Sequence, residues 1–592
     1  MHASRWANRN LIERGGLLAL AALLFYGWLA CPYIVENDNA EFSALGAVGG
    51  IAHPSGYPLY VLWLRAWSWL PVSSPAHAAA LATALLGAAQ VLVLHAAARA
   101  WGARPLAATL AVGLFATAPL VARYNTIAEA FALNNLVVAC VLWLAAARGP
   151  VRGLWRCALL GLVAGLGLAN HMTCALVAPV GILGVVRGAR EAGTARALVI
   201  VIGTVIGSFA LGLTPYLYLF IAPDHALSWR HPDTFGELAN IALRQQFGGP
   251  FGFAGLGGRG HWPDQVVAVM STLARSWVWI GLAFGLAALG AGVVRPGRSG
   301  NEPRIGWAML LTSFLVAGPV LATRFDLPLD MWGRYVVERF HLIPVLLLVI
   351  PVAAGLDWIG HRLGAALPHV RISKLSPVVG LVLMVSAIRA LPYLQRFHSP
   401  AMENEVRNTL SSLPPKAVVL GSDSELDVGV RYLQLARGER PDVMYIRWGT
   451  MDLDWYRARF ARDGFAFEPG PGDLKREVAA AVLATGRPLF VAATEGDSLE
   501  PLQLYPFGIL FRVLPAGQRF PSVAEVFALN RKLFDAFSLA YPRPGPDDEY
   551  AAWAHQHYAR VWQRIGDEAA RAGRRDDAVT SYALMRELSP RP

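Results

Sequence analysis

Stretches of about 20 apolar residues recur from Gly15 to about Pro392. Each is long enough to cross a hydrocarbon layer roughly 30 Å thick, and that repetition leaves few folds open. A water-soluble chain could not hide them. Of 592 residues, 55% are hydrophobic and only 16% charged, more apolar surface than an aqueous core absorbs. From Gln395 onward the texture changes to acids, prolines and short alternating runs. The expected organisation is therefore a transmembrane domain over 1–394, an extracytoplasmic α/β domain over 395–535 and a helical tail over 536–592.

By length and hydropathy about eleven spans are expected, at 15–33, 77–99, 105–121, 126–147, 154–170, 172–187, 198–221, 266–293, 305–323, 340–360 and 376–392. The net charge of +11 does not point to nucleic acid, because the arginines cluster in short segments between apolar blocks. With the N-terminus cytoplasmic, every inner loop is basic: Arg99 and Arg104; Arg148, Arg152 and Arg156; Arg187, Arg190 and Arg196; Arg295, Arg298 and Arg304; Arg362, Arg371 and Lys374. An odd number of spans then puts the C-terminal domain outside, in a multi-pass protein expected in a bacterial inner membrane. The acids Glu36, Asp38, Glu41, Glu129, Asp224, Asp326, Asp330 and Glu338 fall in the outer loops. The first span follows Arg5, Arg9 and Arg14 and is expected to remain as an uncleaved helix. Tyr57–Val72, rich in Trp and Tyr, is too short for a span and fits an interfacial or re-entrant helix. Cys31, Cys140, Cys157 and Cys174 lack metal-ligand spacing and are expected as small core residues.

Directly after the first span come Glu36-Asn37-Asp38-Asn39-Ala40-Glu41-Phe42 and then His53-Pro54-Ser55-Gly56-Tyr57-Pro58. Carboxylates beside hydrocarbon are expensive and persist where they bind, pair or catalyse. Partial desolvation would also make one a better base. A plainer reading leaves Asp38 and Glu41 as caps of a helix N-terminus and His53 as part of a proline turn.

These strings resemble the acidic-loop plus His-Pro-x-Gly-Tyr-Pro pattern of a membrane family related to protein O-mannosyltransferases, within the GT-C superfamily. The resemblance continues in Ala128-Glu129-Ala130-Phe131, Leu168-Ala169-Asn170-His171, Trp229-Arg230-His231-Pro232-Asp233, Arg244-Gln245-Gln246-Phe247-Gly248 and Glu338-Arg339-Phe340, and reaches Gly421-Ser422-Asp423 and Arg440-Pro441-Asp442. Ser55 departs from it, where a second proline is usual, as does Glu36-Asn37 ahead of Asp38, where glycines are usual. What the resemblance implies is a lipid-dependent, inverting glycosyltransferase. A sugar, with mannose favoured, moves from a polyprenyl-phosphate donor in the membrane lipid to a hydroxyl of a protein or glycan acceptor on the outer face.

The resemblance places Asp38 as the base, with Glu41 holding the acceptor or a loop and Glu129 as the second acid. Pro54, Gly56, Tyr57 and Pro58 form the loop motif. The lipid-phosphate leaving group needs cations, for which Arg123, Arg324, Arg334 and Arg339 are candidates, with His53 and His171 as donors. For each arginine alone, a headgroup contact or local ion pair is the blander account. No metal is expected, because no His/Asp/Glu set shows zinc or calcium ligand spacing, although some GT-C enzymes use a divalent ion.

In the outer domain, 417–420 and 442–446 read as strands around a helix over 425–436, with a third strand at 488–493. Gly421-Ser422-Asp423-Ser424 lacks dinucleotide-loop spacing, so a nucleotide site is not expected. Near the end, 567–588 resembles one tetratricopeptide helix pair. The competing reading is a non-enzymatic transporter or handler of lipid-linked saccharides, which would place charges at mid-membrane or broken helices in two matching halves. A third, a structural anchor for an outer sensor domain, leaves the first-loop acids without a role.

Overall fold

The computed structural model describes the chain except for residues 1, 37, 194, 250–260, 295–301, 326, 367–374, 463, 493–498, 500–501, 547–548 and 592. Arg295, Arg298, Asp326, Arg371 and Lys374, assigned to loops above, lie outside the described residues. Up to Phe397 the described elements are all helical. Among the described residues four helices are long and apolar enough to cross a membrane, or up to seven if each of three bent pairs counts as one span. Four shorter apolar helices, Arg14–Leu29, Phe131–Ala145, Gly153–Leu168 and Arg304–Val320, stand beside them. Leu198, Val199, Ile206 and Leu211 project outward, each more than half exposed, which is the surface a bilayer covers.

Proline sets where many of these helices begin. Pro58, Pro75, Pro105 and Pro119 occupy first helical positions, where the missing N–H is no loss and φ is already helical. The bends have local causes as well. Pro105–Ala116 and Pro119–Asn125 meet at 69°, with the pre-proline residue Ala118 extended. The stretch expected as one span over 266–293 is instead broken: Trp262–Ser276 and Ile280–Val294 meet at 107°, and Val278 and Trp279 between them have positive φ. Hydropathy is continuous across this joint, so the break was not visible in it. Helices Gly153–Leu168 and Ala195–Gly212 touch backbone to backbone, since a Cβ on Gly165 would stand 2.2 Å from the Phe209 carbonyl oxygen. Pro58–Ala66 is a helix of nine residues, too short to cross.

Among the described residues the C-terminal domain carries a five-stranded sheet: β1 (Val418–Gly421), β2 (Met444–Arg447), β3 (Leu489–Ala492), β4 (Leu504–Phe507) and β5 (Leu510–Val513), in spatial order β2-β1-β3-β5-β4. Strands β2, β1 and β3 are parallel, with Val418 level with both Met444 and Leu489. The β4–β5 hairpin, absent from the sequence reading, adds antiparallel to β3. Its Pro506 sits on the edge strand, the place in a sheet that tolerates a missing donor. The tail is a helical hairpin of Glu549–Arg571 and Arg575–Leu588, with Tyr582 donating to Asp567. It packs on Ala401–Ser412, where Asn408 Nδ2 bonds Tyr558 at 3.1 Å.

The domain is latched to loops of the helical bundle. Glu403 accepts from the Ile34 N–H at 3.2 Å, and the Tyr432 hydroxyl from the Ala76 N–H at 3.4 Å. His398 pairs with the Thr126 hydroxyl at 3.1 Å. Arg459 donates to the Ala226 and Ser228 carbonyls, and Arg462 to Asp224. These contacts fall on both flanks of the loop that carries Asp38.

Candidate active site

Asp38 stands at the N-cap position of the Asn39–Val48 helix, yet its carboxylate makes no cap hydrogen bond. It turns instead to Arg339, whose Nη1 donates to Oδ2 at 2.8 Å. The helix terminus still favours the negative charge electrostatically. Capping is therefore not what the side chain does. Glu41, one turn along, receives both the backbone N–H of His53 at 2.9 Å and its Nδ1 at 2.5 Å. His53 Nε2 then faces Asp38 Oδ2 at 3.9 Å. The His53 carbonyl also accepts from Gly56 at 2.8 Å, so the proline turn is real but accounts for only the backbone of this residue.

The motif Pro54, Gly56, Tyr57, Pro58 supplies the turn that brings His53 back. Gly56 has φ +85°, and a Cβ there would meet Leu219 at 2.9 Å. Tyr57 is left-handed at φ 45°, a strained conformation for a bulky residue, and its ring packs between Phe42, His53 and His171. Pro58 opens the short helix.

Glu129 lies in the turn between Asn125 and Phe131 and is fully buried. Its Oε1 accepts the Asp38 N–H at 3.2 Å, while Oε2 has no hydrogen-bond partner. His171 is also buried; its Nδ1 accepts from the N–H and hydroxyl of Thr173, which leaves the ring proton of the neutral form on Nε2. Phe131 and Phe340 wall the ring at 4.8 and 6.1 Å.

These surroundings split the acids. Burial raises the Glu129 carboxyl and the Asp38 charge adds to it, pushing it up to about 8. Burial acts on Asp38 in the same direction, but Arg339 and then His53 outweigh it and hold its carboxyl below the ordinary value. Burial disfavours the His53 cation, yet Glu41 and then Asp38 overcome it and raise the imidazole to about 9. At neutral pH the group is an ionised Asp38 beside a protonated His53, with a protonated Glu129 beneath.

The expected arginines divide differently. Arg339 belongs to the site. Arg123 does not offer itself to a ligand: it is 1% exposed, bonded to Glu36 at 2.7 Å and stacked 3.8 Å over Phe397. A carboxylate 87 residues away is invisible to sequence spacing. Arg324 is exposed where the Arg304–Val320 segment ends. Arg334 is exposed, its Nε on the Leu329 carbonyl at 3.2 Å, and it lines a pocket with Arg275 and Glu338. Sequence reading also passed over Arg244 as a site residue, although its charge bears on His53, Tyr57 and His171.

Asp38, Glu41 and His53 could together hold a cation, since one ligand atom from each lies within 4.8 Å of the others. That proximity comes from the turn and was not legible as ligand spacing. An ion there would compete with the His53–Glu41 hydrogen bond and with Arg339 for Asp38.

Residues 38–194 match the family model described as Protein O-mannosyl-transferase TMEM260 N-terminal domain. Protein O-mannosyl-transferase tmem260 of Dictyostelium discoideum is 24% identical over 481 residues, covering 74% of this chain and 58% of its own length. The chain thus spans less than two thirds of that relative. Protein O-mannosyl-transferase TMEM260 of Mus musculus is 25% identical, covering 95% of this chain and 82% of its own. Among solved structures, ArnT from Cupriavidus metallidurans bound to undecaprenyl phosphate superposes with a TM-score of 0.47 at 14% identity, over 86% of this chain and 99% of that one. The resemblance to a protein O-mannosyltransferase-like membrane family, read first from the outer-loop strings, is borne out over residues 38–194, the stretch that contains Asp38, Glu41, His53, Glu129 and His171.

Proposed function

We propose that the chain is a GT-C type membrane glycosyltransferase that moves mannose from a polyprenyl-phosphate donor to a protein hydroxyl on the outer face. The observation that carries this reading is the Asp38 carboxylate, a quarter exposed at 26% and set between Arg339 and His53. The names of the relatives in Dictyostelium and mouse favour mannose as the sugar and protein as the acceptor.

In the proposed step the acceptor oxygen attacks the anomeric carbon as its hydrogen bond to Asp38 becomes a proton transfer. The bond from that carbon to the phosphate oxygen breaks, and the polyprenyl phosphate leaves with the electron pair. Attack opposite the phosphate inverts the anomeric centre. General-base assistance of this kind typically contributes roughly 10²- to 10⁴-fold. His53 and Arg339 hold the Asp38 charge in place, and Glu41 orients His53. The negative charge that grows on the phosphate is met by fixed cations in a poorly hydrated setting, where each contact is strengthened. Transfer runs without a divalent cation in this reading, Arg339 and protonated His53 taking that place.

The four long helices, three bent pairs and four shorter apolar helices together number eleven, which suits an outer C-terminal domain and a cytoplasmic N-terminus. Arg187 pairs with Glu302, and Arg104 with Asp357, so two of the arginines assigned to inner loops have carboxylate partners.

The test is transfer of labelled mannose from polyprenyl-phosphate mannose to membrane and secreted protein, comparing wild type with Asp38→Asn at matched expression, with and without chelator. Transfer lost in Asp38→Asn and indifferent to chelator supports the reading. Equal transfer by both forms removes Asp38 from the chemistry, and transfer abolished by chelator overturns the metal-free step.

A further inference from the structure

Most cations around the site are already engaged. Arg339 is on Asp38, Arg123 on Glu36 and His53 on Glu41. Arg244 differs. It follows the Phe235–Ala242 helix by two residues, in a left-handed conformation at φ 55° fixed by its N–H on the Ile241 carbonyl and by its own carbonyl accepting from Phe247 and Gly249. Its guanidinium lies 5.6 Å from the Phe247 ring, and its buried Nε has no hydrogen-bond partner. No acidic side chain pairs with it among the described residues. A buried donor left unmatched is costly unless a ligand completes it, and a guanidinium matches phosphate best.

Beside it runs an apolar cleft of ≈ 560 Å³, lined by Leu168, Met172, Phe209, Leu213, Phe235 and Leu243 among others. Two residues of its lining adjoin site residues along the chain: Met172 follows His171, and Leu243 precedes Arg244. Phe235 is 72% exposed and Leu217 50%, so the cleft opens on the lipid-facing surface. A single cleft suits a single hydrocarbon chain, whereas a phospholipid brings two.

We infer that this cleft takes the chain of an isoprenoid phosphate and that Arg244 binds its phosphate, the ligand entering sideways from the bilayer between Ala195–Gly212 and Phe235–Ala242. The inference deepens the proposed function by naming where the donor lies, and it rests on that reading for the identity of the lipid. A phosphate on Arg244 would stand near His53 and His171, on both of which the Arg244 charge bears.

The test uses the full chain in phosphatidylcholine nanodiscs with farnesyl phosphate as the probe and direct binding as the readout. Loss of one charge-assisted contact corresponds to about 10- to 100-fold weaker binding. Arg244→Gln is expected to show that loss, and Arg244→Lys to recover part of it. Ala239→Trp, in the cleft wall and exposed, should weaken farnesyl phosphate while leaving inorganic phosphate unaffected. Phosphatidylglycerol should not compete. Unchanged affinity in Arg244→Gln overturns the inference, as does equal competition by phosphatidylglycerol, which would make Arg244 a general headgroup contact. The readout is independent of turnover. Binding that follows this pattern without any sugar transfer would refute the proposed activity and leave the site standing, and transfer with Arg244→Gln binding like wild type would do the reverse.

Discussion

Arg339 closes on Asp38 from 301 positions further along the chain, Nη1 to Oδ2, at 2.8 Å. The residue that marks the loop after the first helix is thus held in place by one of the last helices of the bundle. Replacing Arg339 with Gln removes the charge and the fixed direction of the carboxylate together. A fall of about 10²-fold in turnover at saturating donor is expected, of the order seen when one preorganised donor is deleted. Arg339→Lys, which keeps the charge, should fall less. Equal turnover in all three forms would show that Asp38 needs no such partner.

His53 gives the site an alkaline limit. Its raised value means that the protonated ring contributes stability fully below about 6.5 and loses it as pH rises through about 9. Thermal midpoint and transfer rate should both decline across that upper window in wild type. His53→Gln should start lower and show a shallower decline, the part that Glu129 contributes. A flat wild-type profile between pH 8 and about 10 would contradict the pairing with Glu41.

Glu129 works in the same sense for a different reason. A carboxyl pushed up to about 8 by burial and by Asp38 is folded in its neutral form, so stability is lost as pH climbs from about 4.5 towards about 8. Glu129→Gln copies the neutral form and should remove that slope while retaining most activity. Glu129→Ala leaves the Asp38 N–H without its acceptor and should cost about 1–3 kcal/mol. Melting curves of the two variants at three pH values decide the matter.

Arg123 and Glu36 form a buried pair at 2.7 Å. Removing one partner strands the other, so Arg123→Ala should destabilise by about 3–5 kcal/mol. The double replacement Arg123→Met with Glu36→Gln should recover much of that loss. If Arg123→Ala instead keeps its thermal midpoint and loses only donor affinity, the residue binds ligand after all.

Arg459 bridges the C-terminal domain to the Ala226 and Ser228 carbonyls. Arg459→Ala should loosen that seam by about 1–3 kcal/mol. Faster amide exchange confined to 224–229 and to the Asp454–Arg462 helix would record it. Uniform exchange across the chain would mean that the contact does not set the docking.

The chemistry near Asp38 could be read in the sequence because it is local: Asp38, Glu41 and His53 lie within sixteen positions, on one helix start and one turn. The long-range half could not. Arg339 was one outer arginine among several until its geometry put it on Asp38, and Arg123 looked equivalent until Glu36 and Phe397 covered it. Arg244 stood in one of the family-like strings, but nothing there marked it as a site residue, since what distinguishes it is a buried Nε without a hydrogen-bond partner, a property of the surroundings. The same holds for the fold. The parallel strands were visible as short, continuous apolar runs, but Pro506 disguised β4, and the 107° break at Val278 and Trp279 sits inside unbroken hydropathy.

The latch of the outer domain limits how this protein can be taken apart. Glu403 holds Ile34, four residues before Asp38, and His398 holds Thr126, three residues before Glu129. A chimera joining this bundle to a relative's outer domain would therefore have to import matching partners for both positions. Without them, the first loop would lose its bracing even with every site residue in place. The C-terminal domain is for this reason not an exchangeable module, and grafts at the nominal boundary are expected to succeed only when 398–403 travels with the bundle.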